Sequence, residues 1–340
     1  LERVKNLLKD YDFSGEEISL IPIKTGHIGE NYKVLTPRGD FVLRIRHPEY
    51  TAEHVSADHA FLIYLKQKGF PVPGICGLIN GKTHGFTEDQ RVFELQEFIP
   101  HNQNLDDKSI SEVSSKLAIF LGEFHNLSKE YPEKIEKMPC LGEIPLGFWE
   151  KYFSGPLEKG MERYERAGDE EGNKTGKELK EKTSFLGEEL KNIQENLDGI
   201  YNEIPRLINH NDFYGNNILF QGEKIAGLVD FDFCSTGIFY IDLIELLHGS
   251  MVWEDGEEGF WGLHPEGKTR MEQGRKDLDL YREKVPDLPV NNDLLRDLLK
   301  AKVISLAWYP AFDLFEDAEN RLEVCRRLEK AIIEIDKFHP

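Results

Sequence analysis

The sequence predicts an α+β chain, a sheet-bearing N-terminal part followed by a mostly helical remainder, and three observations carry that expectation. Apolar residues alternate with period two through Ile18–Ile23, Asn31–Leu35 and Phe41–Ile45, and Arg91–Pro100 reads as one more strand. From Ser109 onward the period lengthens to that of a helix, with Val113, Leu117, Phe120, Leu121 and Phe124 at helical spacing. Within the helical part a polar turn, Asn209–Tyr214, opens a short hairpin that ends at Gly227–Asp232.

Taken in order, residues 1 to about 10 read as a short amphipathic helix with Val4, Leu7 and Leu8 on one face. Pro37-Arg38-Gly39-Asp40 supplies a turn between the second and third strands, because its glycine tolerates φ values closed to other residues. Thr25–Asn31 is a glycine-bearing turn ahead of those strands. Gly26 and Gly29 there would let backbone N–H groups approach a phosphate closely, although a full Gly-x-Gly-x-x-Gly is absent. Glu53–Lys68 reads as a helix closed by Gly69. Ser109-Ile110-Ser111-Glu112 is a capping box opening the next helix. Residues 140 to 205 hold aromatic anchors in a helical region, a charged exposed loop at Asp169–Lys177 and a helix at Glu178–Leu197. A helix at Leu243–Met251 starts at or is capped by Asp242, an acidic and aromatic loop spans Trp253–Trp261, and two helices, Leu294–Phe312 and Arg321–Ile335, close the chain.

Composition narrows the function. Acidic residues outnumber basic ones 62 to 42, a net charge of -20, which disfavours nucleic acid and anionic membranes and is compatible with a cationic small molecule. Four scattered cysteines form no Cys-x-x-Cys pair, so neither a zinc site nor a disulfide framework is expected and a reducing cytoplasm is the natural setting. The first residues lack the apolar core of a signal peptide, and no run approaches membrane-spanning length. Oligomeric state is not legible.

The chemistry concentrates in the polar turn. Asp212 is followed five positions later by Asn217, and Asp230 lies thirteen residues beyond it. Phosphoryl transfer needs a carboxylate to orient and deprotonate an attacking hydroxyl, and oxygen-bearing side chains to hold Mg²⁺ on the nucleotide phosphates. Asp212 suits the first role, Asn217 and Asp230 the second. The order His-x-Asp-x-x-x-x-Asn follows the protein-kinase catalytic loop, with Asn211 in place of its arginine. The following triplet reads Asp230-Phe231-Asp232.

These residues make the chain resemble the aminoglycoside phosphotransferase and choline kinase family of small-molecule kinases. His210, Asp212, Gly215, Asn217, Ile218 and Leu219 match its catalytic loop and Asp230 its metal-binding aspartate. Gly227–Phe231 and Tyr240–Leu243 look most like its homoserine kinase-like branch. The resemblance implies a two-lobed protein-kinase-like fold: an N-lobe at residues 1–98, and a C-lobe at 99–340 carrying the catalytic hairpin and an acceptor-binding helical subdomain. It implies ATP, with GTP as the alternative, Mg²⁺ as the metal, and a small-molecule hydroxyl as acceptor: homoserine or another amino alcohol first, with choline, aminoglycosides and sugars open. The acidic, aromatic Trp253–Trp261 loop suits an ammonium-bearing acceptor.

By the same resemblance Arg44 or its neighbour Arg46 stands in for the phosphate-binding lysine, Asp58 falls where relatives carry the helix glutamate that pairs with it, and backbone groups of Gln96 and Phe98 face the adenine. Asp242 would brace the catalytic loop, and His125 is structural. Asp232 either faces the acceptor or caps its turn. Arg44 and Asp58 depart from the usual lysine–glutamate pair, which keeps a catalytically silent member of the fold as an alternative. A protein kinase is disfavoured, since no Ala-Pro-Glu segment follows Asp230.

Overall fold

The computed structural model describes residues 2–13, 15–23, 29–105, 108, 110–135, 174–213, 215–252, 270–314 and 318–338. The chain divides into two compact units. The first comprises Leu1–Asp107, Glu130–Cys140 and Gly215–Thr236; the second comprises Lys108–Lys129, Leu141–Tyr214 and Gly237–Pro340.

The first unit is built on an antiparallel sheet. Strands β1 (Ser19–Ile23), β2 (Glu30–Thr36), β3 (Gly39–Ile45), β4 (Ile75–Cys76), β5 (Gly85–Phe86) and β6 (Val92–Glu97) are ordered β1-β2-β3-β6-β4, with β5 also on β6. A tight turn joins β2 to β3, closed by the Thr36 hydroxyl donating to the Gly39 carbonyl at 2.9 Å. One face of the sheet buries Val34, Leu43, Phe93 and Leu95 against Val4, Leu8 and Tyr11. The expected N-terminal helix, α1 (Glu2–Leu7), therefore owes its place to a sheet face that must exclude water. Helix α2 (Ala52–Gln67) is capped by Thr51, whose side chain accepts from the His54 amide.

The same unit holds the hairpin of β9 (Ile218–Gln221) and β10 (Lys224–Leu228), to which β7 (Gln103–Asn104) adds through β9. The hairpin is also tied by the Leu228 amide donating to the Pro71 carbonyl at 2.9 Å.

The second unit is helical: α3 (Ile110–Glu130), α4 (Lys174–Ile200), α5 (Tyr240–Leu247), α6 (Met271–Lys284), α7 (Asn292–Leu314) and α8 (Ala318–Asp336), with strand β8 (Arg206–Asn209) leading to the polar turn. The predicted apolar stripe of α3, from Val113 to Phe124, is buried throughout. Two expectations are corrected. Helix α4 starts at Lys174, inside the segment expected to be an exposed charged loop, because Gly176 and Leu179 continue its buried stripe through Thr183, Leu186, Leu190, Ile193 and Leu197. Helix α5 stops at Leu247 and His248–Val252 form a π-turn, so the expected single helix to Met251 changes its hydrogen bonding on the way. Helix α6 was not anticipated: its mean hydropathy is low, and only Gly274, Asp277, Leu278 and Tyr281 are buried. The expected aromatic anchors near residue 150 and the Trp253–Trp261 loop lie outside the described residues. Among the described residues no helix is long and apolar enough to cross a membrane.

The π-turn has a measurable consequence. His248 is 4% exposed, and burial, followed by the charge of Lys302, pushes its imidazole down to about 3 from 6.5. The native state therefore refuses a proton that the unfolded chain accepts, and stability falls as pH drops from 6.5 towards 3, at a slope approaching about 1.4 kcal/mol per pH unit. Urea melts between about pH 7 and about pH 4 should show a shallower decline for His248→Gln than for the native sequence. Equal slopes would remove His248 as the cause.

Candidate active site

The metal-type residues are positioned by the hairpin. Ile218 pairs with Leu228, and the Val229 amide donates to the Asn217 carbonyl at 2.9 Å, so Asn217 sits across from the residue preceding Asp230. Asp230 itself takes left-handed backbone, φ 65° and ψ 65°, rare for a non-glycine residue and frequent where a side chain must be aimed. Its side chain retains 39% exposure. Burial in the surrounding protein, then the adjacent Asp232 charge, raises its pKa above the usual carboxylate range.

Beneath it lies a buried network of charges. Arg44 on β3 and Arg46 just past its end, whose amide donates to the Val92 carbonyl at 2.8 Å, are two positions apart and so share a face of the sheet; Glu94, directly opposite Arg44 on β6, and Gln96 point the same way. Arg44 Nη2 donates to Asp230 Oδ1 at 2.9 Å and to Asp232 Oδ1 at 2.8 Å. Arg46 grips Glu94 with two bonds, Nε to Oε2 at 3.1 Å and Nη2 to Oε1 at 2.7 Å, and donates from Nη1 to Asp232. His59 Nε2 lies 2.9 Å from Glu94 Oε2, and Gln96 Nε2 donates to Oε1 at 2.8 Å. The Tyr50 hydroxyl donates to the Asp232 carbonyl at 3.2 Å, and its ring lies 5.3 Å from the Arg46 guanidinium carbon.

Burial alone would protonate these acids; the arginines decide otherwise. Against the cost of burial, Arg46 and then His59 hold Glu94 well below its usual range, and Arg44 and Arg46 hold Asp232 low. Asp58 goes the other way: burial drives its carboxyl well above the usual range despite Arg46. It forms no ion pair within 4 Å among the described residues, whereas Glu94 does so with both arginines. The acid expected on the helix is thus replaced by one on the neighbouring strand. Asp232 neither stands free towards an acceptor nor merely caps its turn; it is 5% exposed and receives both arginines.

Of the other nucleotide-type positions, Gly26 lies outside the described residues. Gly29 has φ 96°, and a Cβ there would come within 2.7 Å of the Ile45 carbonyl oxygen, so only glycine fits where this turn meets β3. The Phe98 amide is taken by the Asp40 carbonyl at 3.0 Å, and its ring lies 3.8 Å from Lys33 Nζ. The Gln96 side chain is spent on Glu94.

In the second unit, the turn carrying Asp212 is held from behind. Asp242 accepts the His210 and Asn211 amides, each at 2.7 Å, on its two carboxylate oxygens, and His125 Nε2 approaches at 3.2 Å, with His125 Nδ1 2.7 Å from the Tyr281 hydroxyl. Asn211 has φ 62°, and the Asn209 side chain donates to the Ile238 carbonyl at 3.1 Å. His210 is fully buried while Asp212 is half-buried. Asp242 is therefore an acceptor bracing the loop.

The model of a phosphotransferase enzyme family matches residues 19–263. The chain belongs to that family. It is a phosphotransferase of the small-molecule kinase kind, as its sequence resemblance implied. Similar curated proteins include homoserine kinases of Zymomonas mobilis, 24% identical over 71% of this chain and 68% of that protein, and of Rhodopseudomonas palustris, 22% identical over 84% and 76%. Among solved structures, an aminoglycoside phosphotransferase from Alicyclobacillus acidocaldarius aligns with TM-score 0.65 at 10% identity, covering 98% of this chain and 95% of that one. An amicoumacin kinase solved with AMP-PNP and Ca²⁺ aligns with TM-score 0.61 at 15% identity over 97% and 92%. A choline kinase from Cryptosporidium parvum aligns with TM-score 0.56 at 14% identity over 98% and 96%. The fold is the protein-kinase-like α+β fold of these enzymes, as expected.

The side chains present suit a hard divalent cation. Asn217 and Asp230, an amide and a carboxylate, are carried at one end of a hairpin, and Mg²⁺ commonly takes one or two protein oxygens and completes its shell with phosphates and water. Among the described residues no group of three or more His, Cys, Asp or Glu forms a protein-only cage. The residues passed over by sequence reasoning are Glu94, His59 and Tyr50. Glu94 had a signal: a lone acid inside the apolar run Val92-Phe93-Glu94-Leu95 must find partners if the strand is buried.

Proposed function

We propose that this protein transfers the γ-phosphoryl group of ATP to the hydroxyl of a small amino alcohol, homoserine being the first choice. The observation that carries the reading is the hairpin that seats Asn217 beside Asp230, with Arg44 on the Asp230 carboxylate. In it, Asn217 and Asp230 hold Mg²⁺, which neutralises charge on the nucleotide phosphates. Arg44 and backbone groups from Gly26 to Gly29 steady the phosphates, and Gln96 and Phe98 belong to the segment that meets the adenine, Phe98 with its carbonyl because its amide is used in the sheet. Asp58 lines the same nucleotide region, its carboxyl pushed well above the usual range by burial. Asp212 orients the acceptor hydroxyl and takes its proton, while the buried His210 braces the loop. Residues 1–98 and 99–340 act as the nucleotide and acceptor lobes. The free Cys76, Cys234 and Cys325 suit a cytoplasmic setting.

Homoserine rests on the curated relatives; a choline, aminopropanol or aminoglycoside acceptor would use the same phosphoryl chemistry. A catalytically silent reading draws on Arg44 covering the metal-type aspartate in place of a lysine–glutamate pair. ADP release with Mg²⁺ and either ATP or GTP, measured across homoserine, aminopropanol, choline, sugars and aminoglycosides, separates the two. An acceptor-dependent rate with homoserine or a close amino alcohol is expected. Metal-dependent nucleotide binding without ADP release for any acceptor would favour the silent protein.

A further inference from the structure

Arg44 and Arg46 are held differently. Arg46 spends Nε and Nη2 on Glu94 and Nη1 on Asp232, is 2% exposed, and cannot leave without stranding buried acids. Arg44 uses Nη2 for both aspartates and directs Nε to Asn31 Oδ1 at a long 3.4 Å, while its Nη1 lies 4.0 Å from Glu94 Oε1, beyond hydrogen-bond reach. If Arg44 moved, Asp232 would keep Arg46, and Asp230, at 39% exposure, would keep water. Arg44 is thus the member of the network that can change partner at low cost. Its present partner is an oxygen of Asp230, the carboxylate proposed above to hold the metal.

We propose that Arg44 is an exchange cation. In the empty protein it covers Asp230 Oδ1; phosphates of an arriving nucleotide draw the guanidinium away, and the exposed carboxylate then accepts the divalent metal. A guanidinium and a divalent cation repel at one carboxylate oxygen, so each discourages the other until a polyanion takes the guanidinium. Metal and nucleotide binding are thereby coupled through one side chain, and the coupling is reciprocal. This inference rests on the proposed role of Asp230 as metal ligand.

The test measures Mn²⁺ binding by electron paramagnetic resonance, with and without AMP-PNP, on the native protein, Arg44→Met and Arg44→Lys, with circular dichroism to confirm folding. The native protein should bind Mn²⁺ weakly alone and about 5- to 150-fold more tightly with AMP-PNP. Arg44→Met should bind Mn²⁺ alone severalfold more tightly than the native protein and gain less from AMP-PNP. Arg44→Lys, which keeps the charge but loses the further guanidinium nitrogens facing Asn31 and Glu94, should shift in the same direction by less, and it decides the matter if the methionine variant does not fold. Nucleotide-free affinities equal to or below native in the folded variants would overturn the exchange while leaving the metal assignment intact. Absence of Mn²⁺ binding to the native protein even with AMP-PNP would overturn the metal assignment and the exchange with it.

Discussion

Asp212→Asn should lower turnover by roughly 10²- to 10⁴-fold, the usual contribution of a positioned general base, while nucleotide affinity stays near native. The argument is geometric. Asp242 locks the loop through the His210 and Asn211 amides, both at 2.7 Å, and that lock does not involve the Asp212 side chain. Asparagine preserves the size of aspartate and one acceptor oxygen, and removes the negative charge and with it the ability to take a proton. Fold and nucleotide site should therefore survive. His210 is buried and cannot stand in. Acceptor-dependent ADP release, measured beside nucleotide binding by calorimetry, provides the check; native turnover in the variant would return the base role to another group.

A second large effect is expected on stability. Arg46→Met should cost about 3–5 kcal/mol, because breaking a buried charge pair leaves the remaining charge dehydrated and uncompensated. Glu94 would retain only His59, Gln96 and the more distant Arg44, all within a region closed to water. The same substitution at Arg44, two residues away on the same face, should cost less, since Asp232 keeps Arg46 and Asp230 is partly solvated. Urea denaturation of both variants provides the comparison. Equal losses, or a greater loss at Arg44, would mean that the network is not organised around Arg46 and Glu94.

Much of the architecture was legible because its signals are local. Alternation placed β1, β2, β3 and β6 but not the two-residue strands β4 and β5, the stripe from Val113 to Phe124 placed α3, and Thr51 starts α2 within a residue or so of the expected boundary. Where the reading went astray, a local signal was overruled or missing. Lys174–Lys177 look like solvated charge, yet a buried glycine carries the α4 stripe through them. Helix α6 has so few buried positions that its period is faint. Asp58 stands where a helix acid is expected, but in the fold it is a dehydrated carboxyl without an ion pair, and Glu94 takes the arginines.

Read alone, the sequence singled out Asp212, Asn217 and Asp230 as the side chains proposed for the chemistry, because they are set out along a turn and hairpin whose geometry depends on neighbours in the chain. Only the tertiary structure decided the partners. Arg44, Arg46, Glu94 and Asp232 come together from segments up to 188 residues apart. Strand periodicity told which face each side chain occupies, but which opposite charge it meets there depends on the packing that first removes both from water.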